Sequence, residues 1–475
     1  MQLLDALFAR RQLTGPGGYQ EIWRVAWPLV IMNASNTIML VCNRMFLSHH
    51  SISEVTAAVP AGQLFFTAMA FFLITSNFTA TIISQYYGAG EKENCVRAVW
   101  NGFYFGIAVA ITLGFLLPFL GSWIIESSDI SPSIRHLERS YFSALTPSAG
   151  MACMEAGFLA FFTGRGKTRI VATIKIAACL VSVPLNYLMI FGRCGLPELG
   201  IVGAGYATSL ASLFSLCCSV SVFLLYPQDE YRTRHFKGFQ WEKIAKLLRF
   251  GAPAGLQTCI RNSAFAVVIM MIGALGDAQL AAASIAMTIN MIGLMPLLGM
   301  MDATSVVTGK YIGRRKLRVA EGVGYRALLL LWIYIAITAL AYWFTPEILV
   351  NLFCKNQTDT IDIAEVSQMI RTILCIQAFS NFFDSMRFIT MGSLRGAGDT
   401  KVPLFLGIGT SYLIQLPLCY WLIYHVKASM GLVWLCGLAF YVVIDAALLV
   451  WRKQSGAWRK IQLVKLPPAK EAEDA

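Results

Sequence analysis

The chain has 475 residues, of which 57% are hydrophobic and only 13% charged, with a mean hydropathy of +0.61 and a net charge of +12. A soluble chain keeps roughly a quarter of its residues charged, so this composition excludes an ordinary soluble domain. The basic excess sits in short joints between apolar runs, where it orients membrane proteins, and nucleic-acid binding is excluded with it.

Each apolar run is long enough to cross a hydrocarbon core of about 30 Å as a helix. Lipid offers no hydrogen-bond partners, so each run must satisfy its own backbone and only helix fits. Twelve spans are expected, near 23–47, 58–84, 97–123, 139–163, 170–191, 201–226, 248–273, 279–306, 322–345, 367–393, 402–424 and 429–451. The first is too long for a signal-peptide core and lacks a small-residue cleavage site, so it is expected to be retained. The even-numbered joints carry most of the Lys and Arg, among them Lys92, Arg97, Arg165, Lys167, Lys310, Arg314, Arg315 and Lys316. The opposite joints hold only Arg135, Arg139, Arg193, Lys355 and Lys427. That asymmetry places both termini in the cytoplasm. Most cysteines fall inside spans, where a thiol acts as a small hydrophobe. Cys194 and Cys354 fall in outward joints and form a candidate disulfide.

The sequence also repeats. Shifted by 225 residues, RVAWPLV around Pro28 meets RFGAPAG around Pro253, and SQYYGAGEKENCVRA with Gly88 meets TGKYIGRRKLRVAEG with Gly313. Further on, Gly166 meets Gly398 at a slightly larger shift. A shift of six spans leaves both halves in one orientation, a recurring transporter design. The expected organisation is all-α: a six-helix bundle over 1–226, a cytoplasmic linker over 227–246 that serves as hinge, and a second six-helix bundle over 247–475.

Several stretches carry a family resemblance: RVAWPLVIMNASNTIML, ISQYYGAGE, LNYLMIFG with LGIVGAGYAT, RFGAPAGLQ, and above all FDSMRFITMGSLRGAGDTKVP. In these the chain resembles the multidrug and toxic compound extrusion (MATE) transporters of the NorM/DinF kind, over nearly its whole length. The resemblance implies two six-helix bundles that export amphipathic, usually cationic compounds in exchange for H⁺ or Na⁺. It also implies a bacterial inner-membrane protein that works as a monomer among lipids and needs no cofactor beyond the coupling cation.

Ionisable groups at membrane depth are costly and therefore functional candidates. For the coupling ion they are Asp384 in the tenth span, Asp302 in the eighth and Glu155 in the fourth. By resemblance Asp384 matches the tenth-span acid used for coupling. A desolvated carboxylate there can bind H⁺, or coordinate Na⁺ beside carbonyls. The competing reading is a structural ion pair with Arg387, one turn away. Asp302 stands where the first half has Asn77. Asn43, Asn186, Arg261, Arg387 and Asn77 are candidates for the substrate cavity, and Asp445 reads as structural.

The departures from the family pattern fall at the ion sites. Where the family shows a Glu in the seventh span this chain has Arg261, and where the first span usually carries Asp it has Asn43. An arginine cannot ligate Na⁺ and an asparagine cannot carry a proton. Arg261 then serves either as a built-in cation neutralising Asp384 or Asp302, or as part of a cavity for anionic or zwitterionic compounds. The alternatives to drug export are accordingly a lipid-linked oligosaccharide flippase of the same superfamily and an exporter of an anionic metabolite. No Walker-type phosphate loop surrounds Gly166, Lys167 and Thr168, and no intramembrane catalytic constellation appears, so ATP-driven transport and an enzyme are not expected.

Overall fold

In the computed structural model, residues 13–126, 132–195, 197–226, 231–344 and 363–464 are described. They are almost entirely helical, with no strand among them. Among the described residues there are twelve long helices: α1 (Tyr19–His50), α2 (Ile52–Asn77, continued past Phe78 by Thr79–Gly88), α3 (Lys92–Glu126), α4 (Pro132–Gly164), α5 (Thr168–Phe191), α6 (Gly200–Leu225), α7 (Trp241–Gly273), α8 (Asp277–Gly313), α9 (Leu317–Phe344), α10 (Ile363–Ala397), α11 (Lys401–His425) and α12 (Met430–Gln454). Eleven are long and apolar enough to cross a membrane. The exception, α10, is long enough but carries Arg371, Asp384, Arg387 and Arg395 along its length. Cys354 and Lys355 lie outside the described residues, and the candidate disulfide with them.

Two departures from plain helices stand out. Phe78 interrupts α2. The last two helices include π-helical turns, at Gly409–Gln415 and Trp421–His425 in α11 and at Val433–Ala439 in α12. Such turns re-aim the side chains beyond them and recur at functional sites.

The chain folds as two compact units. One, the N unit, comprises 31–259, 309–316 and 462–475; the other, the C unit, comprises 1–30, 260–308 and 317–461. The helices α1 and α7, first in their respective repeats, each contribute residues to both units. The apolar core of the N unit includes Phe158, Phe161, Phe162 and Phe223, all essentially fully buried. In the C unit Val268, Ile272, Ile370, Leu374 and Val433 play that part.

The sequence repeat is visible in the packing. A methyl added to Gly164 of α4 would stand 2.6 Å from the carbonyl oxygen of Ala80 on α2. One added to Gly396 of α10 would stand 2.5 Å from that of Ser305 on α8. These are matching positions in the two repeats, and both crossings need the missing Cβ to bring backbones together. A second close approach lies inside the N unit, where Gly88 abuts the carbonyl of Lys310 and Gly313 abuts that of Gln85. Here the two equivalent glycines of the repeat meet each other.

The linker expected as a hinge is, from 231 onward, seated on the N unit. Tyr104 Oη donates to the Lys237 carbonyl at 2.9 Å, and the Gln240 amide donates to Asn101 Oδ1 at 2.8 Å. The Phe236 ring lies 4.3 Å from that of Trp100, and Lys237 pairs with Glu93 at 3.0 Å.

Candidate functional site

Two buried polar groups stand out, one in each unit. In the C unit, α7, α10, α11 and α12 bring together Arg261, Asp384, Arg387, Thr410, Tyr441 and Asp445. Arg387 Nη2 pairs with Asp384 Oδ1 one turn back on α10. Its Nη1 donates to Tyr441 Oη at 2.9 Å and lies 3.8 Å from Asp445 Oδ2. Tyr441 and Asp445 are four residues apart, so α12 presents both on one face. Arg261 Nη2 reaches Asp445 Oδ2 from α7 at 3.5 Å. Thr410, in the first π turn of α11, has its hydroxyl 3.2 Å from Asp445 Oδ1.

Asp384, Arg387 and Asp445 are exposed by only 5%, 6% and 1%. Charges buried to that degree are tolerated only when paired. Two guanidinium groups against two carboxylates give the cluster internal balance without any external ion. The pairing is nevertheless loose: Arg261 Nη2, Arg387 Nε and Asp445 Oδ2 are buried without a hydrogen bond.

In the N unit, Glu155 of α4 is 2% exposed. Lys175 Nζ of α5 donates to its Oε2 at 2.7 Å, and Ser215 Oγ of α6 donates to its Oε1 at 2.5 Å. Lys175 retains 21% side-chain exposure, so its ammonium bridges a buried carboxylate and an open side.

The remaining candidates stand apart from these clusters or at their edges. Asp302, half-buried on α8, lies within Coulombic range of Arg395. Arg261 forms its ion pair with Asp445, while Asp384 is within its Coulombic range. Asn43 is buried, with Nδ2 3.5 Å from Tyr141 Oη and Oδ1 unbonded. Asn186 turns its amide back to Ser182 O and Oγ at 2.9 and 3.1 Å, and its Oδ1 is likewise unbonded. Asn77 is exposed at the end of the first piece of α2. Among the described residues, no three His, Cys, Asp or Glu side chains converge as a metal site would require.

Sequence reasoning passes over Lys175 and places Asp445 outside the functional set. A lysine within an otherwise apolar span is the available signal for the first. For the second there is none, because its partners come from three other helices.

Comparison with known proteins is consistent across three approaches. The family model MatE matches twice, over residues 28–188 and 253–421, more than half of the chain. Among curated proteins, a probable multidrug resistance protein NorM of Photorhabdus laumondii is 26% identical over 397 residues, covering 83% of this chain and 85% of that one. The multidrug resistance protein NorM of Burkholderia vietnamiensis is 26% identical over 437 residues, covering 90% and 92%. Among solved structures, a MOP superfamily transporter from Pyrococcus furiosus, described as having a binding pocket of reversed polarity, superposes with a TM-score of 0.82 at 19% identity, over 95% of this chain and 98% of that one. A MATE in complex with MaD3S gives 0.83 at 19% identity, over 95% and 99%. These likenesses, at 19% identity, are likenesses of fold.

Proposed function

The chain belongs to the MatE family of transporters, and on that premise we propose that it is a secondary antiporter exporting small amphipathic organic compounds in exchange for protons. The names borne by its relatives favour drug or toxin export over a lipid-linked sugar flippase. The charge asymmetry of the joints supports an orientation with both termini in the cytoplasm, and the bacterial origin of its relatives favours an inner membrane.

The observation that carries proton coupling is the position of Arg387 between two carboxylates, Asp384 on its own helix and Asp445 on α12. With Asp384 ionised, Arg387 is shared between its own helix and α12, pairing with Asp384 through Nη2 while Nη1 donates to Tyr441 and lies 3.8 Å from Asp445. A proton taken up by Asp384 removes the intrahelical partner and leaves the guanidinium to Tyr441 and Asp445. The division of Arg387 between α10 and α12 then shifts toward α12, which gives the proton a mechanical consequence. A sodium ion at Asp384 would have to displace a guanidinium already in place, so H⁺ is the better fit.

The test is uptake of a cationic dye into reconstituted vesicles under separately imposed pH and Na⁺ gradients, with Asp384→Asn alongside. Uptake driven by the pH gradient alone, and abolished in the variant, is the expected result. Dye movement under a Na⁺ gradient alone would overturn proton coupling. No movement under either would overturn cationic drug export.

A further inference from the structure

The N-unit cluster occupies the same place in its repeat as the C-unit cluster. Glu155 stands as far before Gly166 as Arg387 stands before Gly398, and Ser215 as far into α6 as Asp445 into α12. At the matched position on α4 and α10, one unit has a buried anion and the other a buried cation. Both positions also draw a partner from the last helix of their repeat, Ser215 in one case and Asp445 in the other.

The cations differ in one chemical respect. A guanidinium keeps its proton under all physiological conditions, whereas a desolvated ammonium can release one. Lys175 holds a proton 2.7 Å from Glu155 Oε2 on one side and is partly open on the other. That is the geometry of a relay.

We propose that Glu155, Lys175 and Ser215 form a second proton-exchange site, in the N unit, deepening the antiport reading on which it rests. In the exchange, the Lys175 ammonium passes a proton to Glu155 Oε2, leaving a neutral amine and a neutral carboxylic acid. The amine then takes a proton from water on its open side. The net change is one proton gained, with Glu155 neutral and Lys175 again a cation. The ion pair between α4 and α5 is thereby lost, while the Ser215 hydrogen bond between α4 and α6 remains.

The surroundings leave the exchange to these groups. Besides Lys175 and Ser215, the Cys218 thiol of α6 lies within Coulombic range of Glu155. The other helices packed against α4, α2 and α3, carry their charged residues only at their ends: Glu54, and Lys92, Glu93, Arg97 and Glu126.

The test is pH-difference infrared spectroscopy of the full chain in lipid nanodiscs, following the protonated-carboxyl stretch, which requires no substrate. Wild type is expected to show a titrating carboxyl band that Glu155→Gln removes and Asp384→Asn retains. Lys175→Arg preserves an ion pair but cannot donate its proton. It is expected to keep the unfolding temperature, change the titrating band and lose pH-driven dye uptake. A Glu155→Gln spectrum identical to wild type overturns the site. So does a Lys175→Arg protein that titrates and transports as wild type does, because a purely structural pair tolerates that exchange; this arm stands even where Glu155→Gln fails to fold. A Glu155 band that responds as expected in a protein moving no dye supports the site while overturning the drug-export reading.

Discussion

The two polar clusters solve one problem with opposite chemistry. In the N unit a single carboxylate is met by a lysine from the neighbouring helix and a serine from the next. In the C unit the matched position is an arginine, and two carboxylates and a second arginine gather around it. A duplicated framework thus holds a buried charge at the matched position of both repeats but has let its sign invert. What the framework keeps is the requirement for a partner on a neighbouring helix. What it leaves open is whether the pair can trade a proton.

Substitutions can break that comparison at different depths, and each is read by thermal unfolding of detergent-solubilised protein. The largest effect is expected from Arg387→Met, which leaves Asp384 and Asp445 facing Arg261 alone. Stranding a buried charge costs about 3–5 kcal/mol, and the double variant Asp384→Asn/Arg387→Met should recover a large part of it. Lys175→Met strands Glu155 in the same way, but Ser215 still donates to the carboxylate and the Lys175 side chain is itself partly exposed. Its cost should be smaller, about 1.5–3 kcal/mol, in the range of a hydrogen bond to a charged group. Equal losses for these two would mean that the clusters are energetically alike despite their different chemistry. Thr410→Val removes one hydroxyl donor from Asp445 Oδ1 and should cost about 1 kcal/mol. Asn77→Ala, at an exposed helix end, should stay within about 0.5 kcal/mol.

Much of this architecture could be read from the chain itself. Eleven of the spans stand out as runs of apolar residues, the charged α10 being the weakest signal, and the repeat emerges from Pro28 against Pro253 and Gly88 against Gly313. The pair Asp384–Arg387 was also legible, because residues three apart on a helix are neighbours whatever the tertiary fold. The rest depended on contacts that spacing does not encode. Asp445 belongs to the cluster only because α7, α10 and α11 converge on it. The π turns in α11 and α12 change the helical phase, so a uniform period misplaces the residues beyond them. The break at Phe78 leaves no Pro or Gly to announce it.

The charges along α10 bear on how this protein is made. A helix emerging into the membrane is accepted or refused largely on its own hydrophobicity, and a buried arginine or aspartate counts against it by about 2.5–3.5 kcal/mol. In α10 the two most buried charges are one turn apart and already paired, so their mutual neutralisation requires nothing yet to be synthesised. Arg261 has no such provision: its ion-pair partner, Asp445, belongs to α12, which leaves the ribosome well after α7. From the insertion of α7 until α12 arrives, Arg261 is without that partner, which makes completion of α12 the step that closes this charge balance in the C unit.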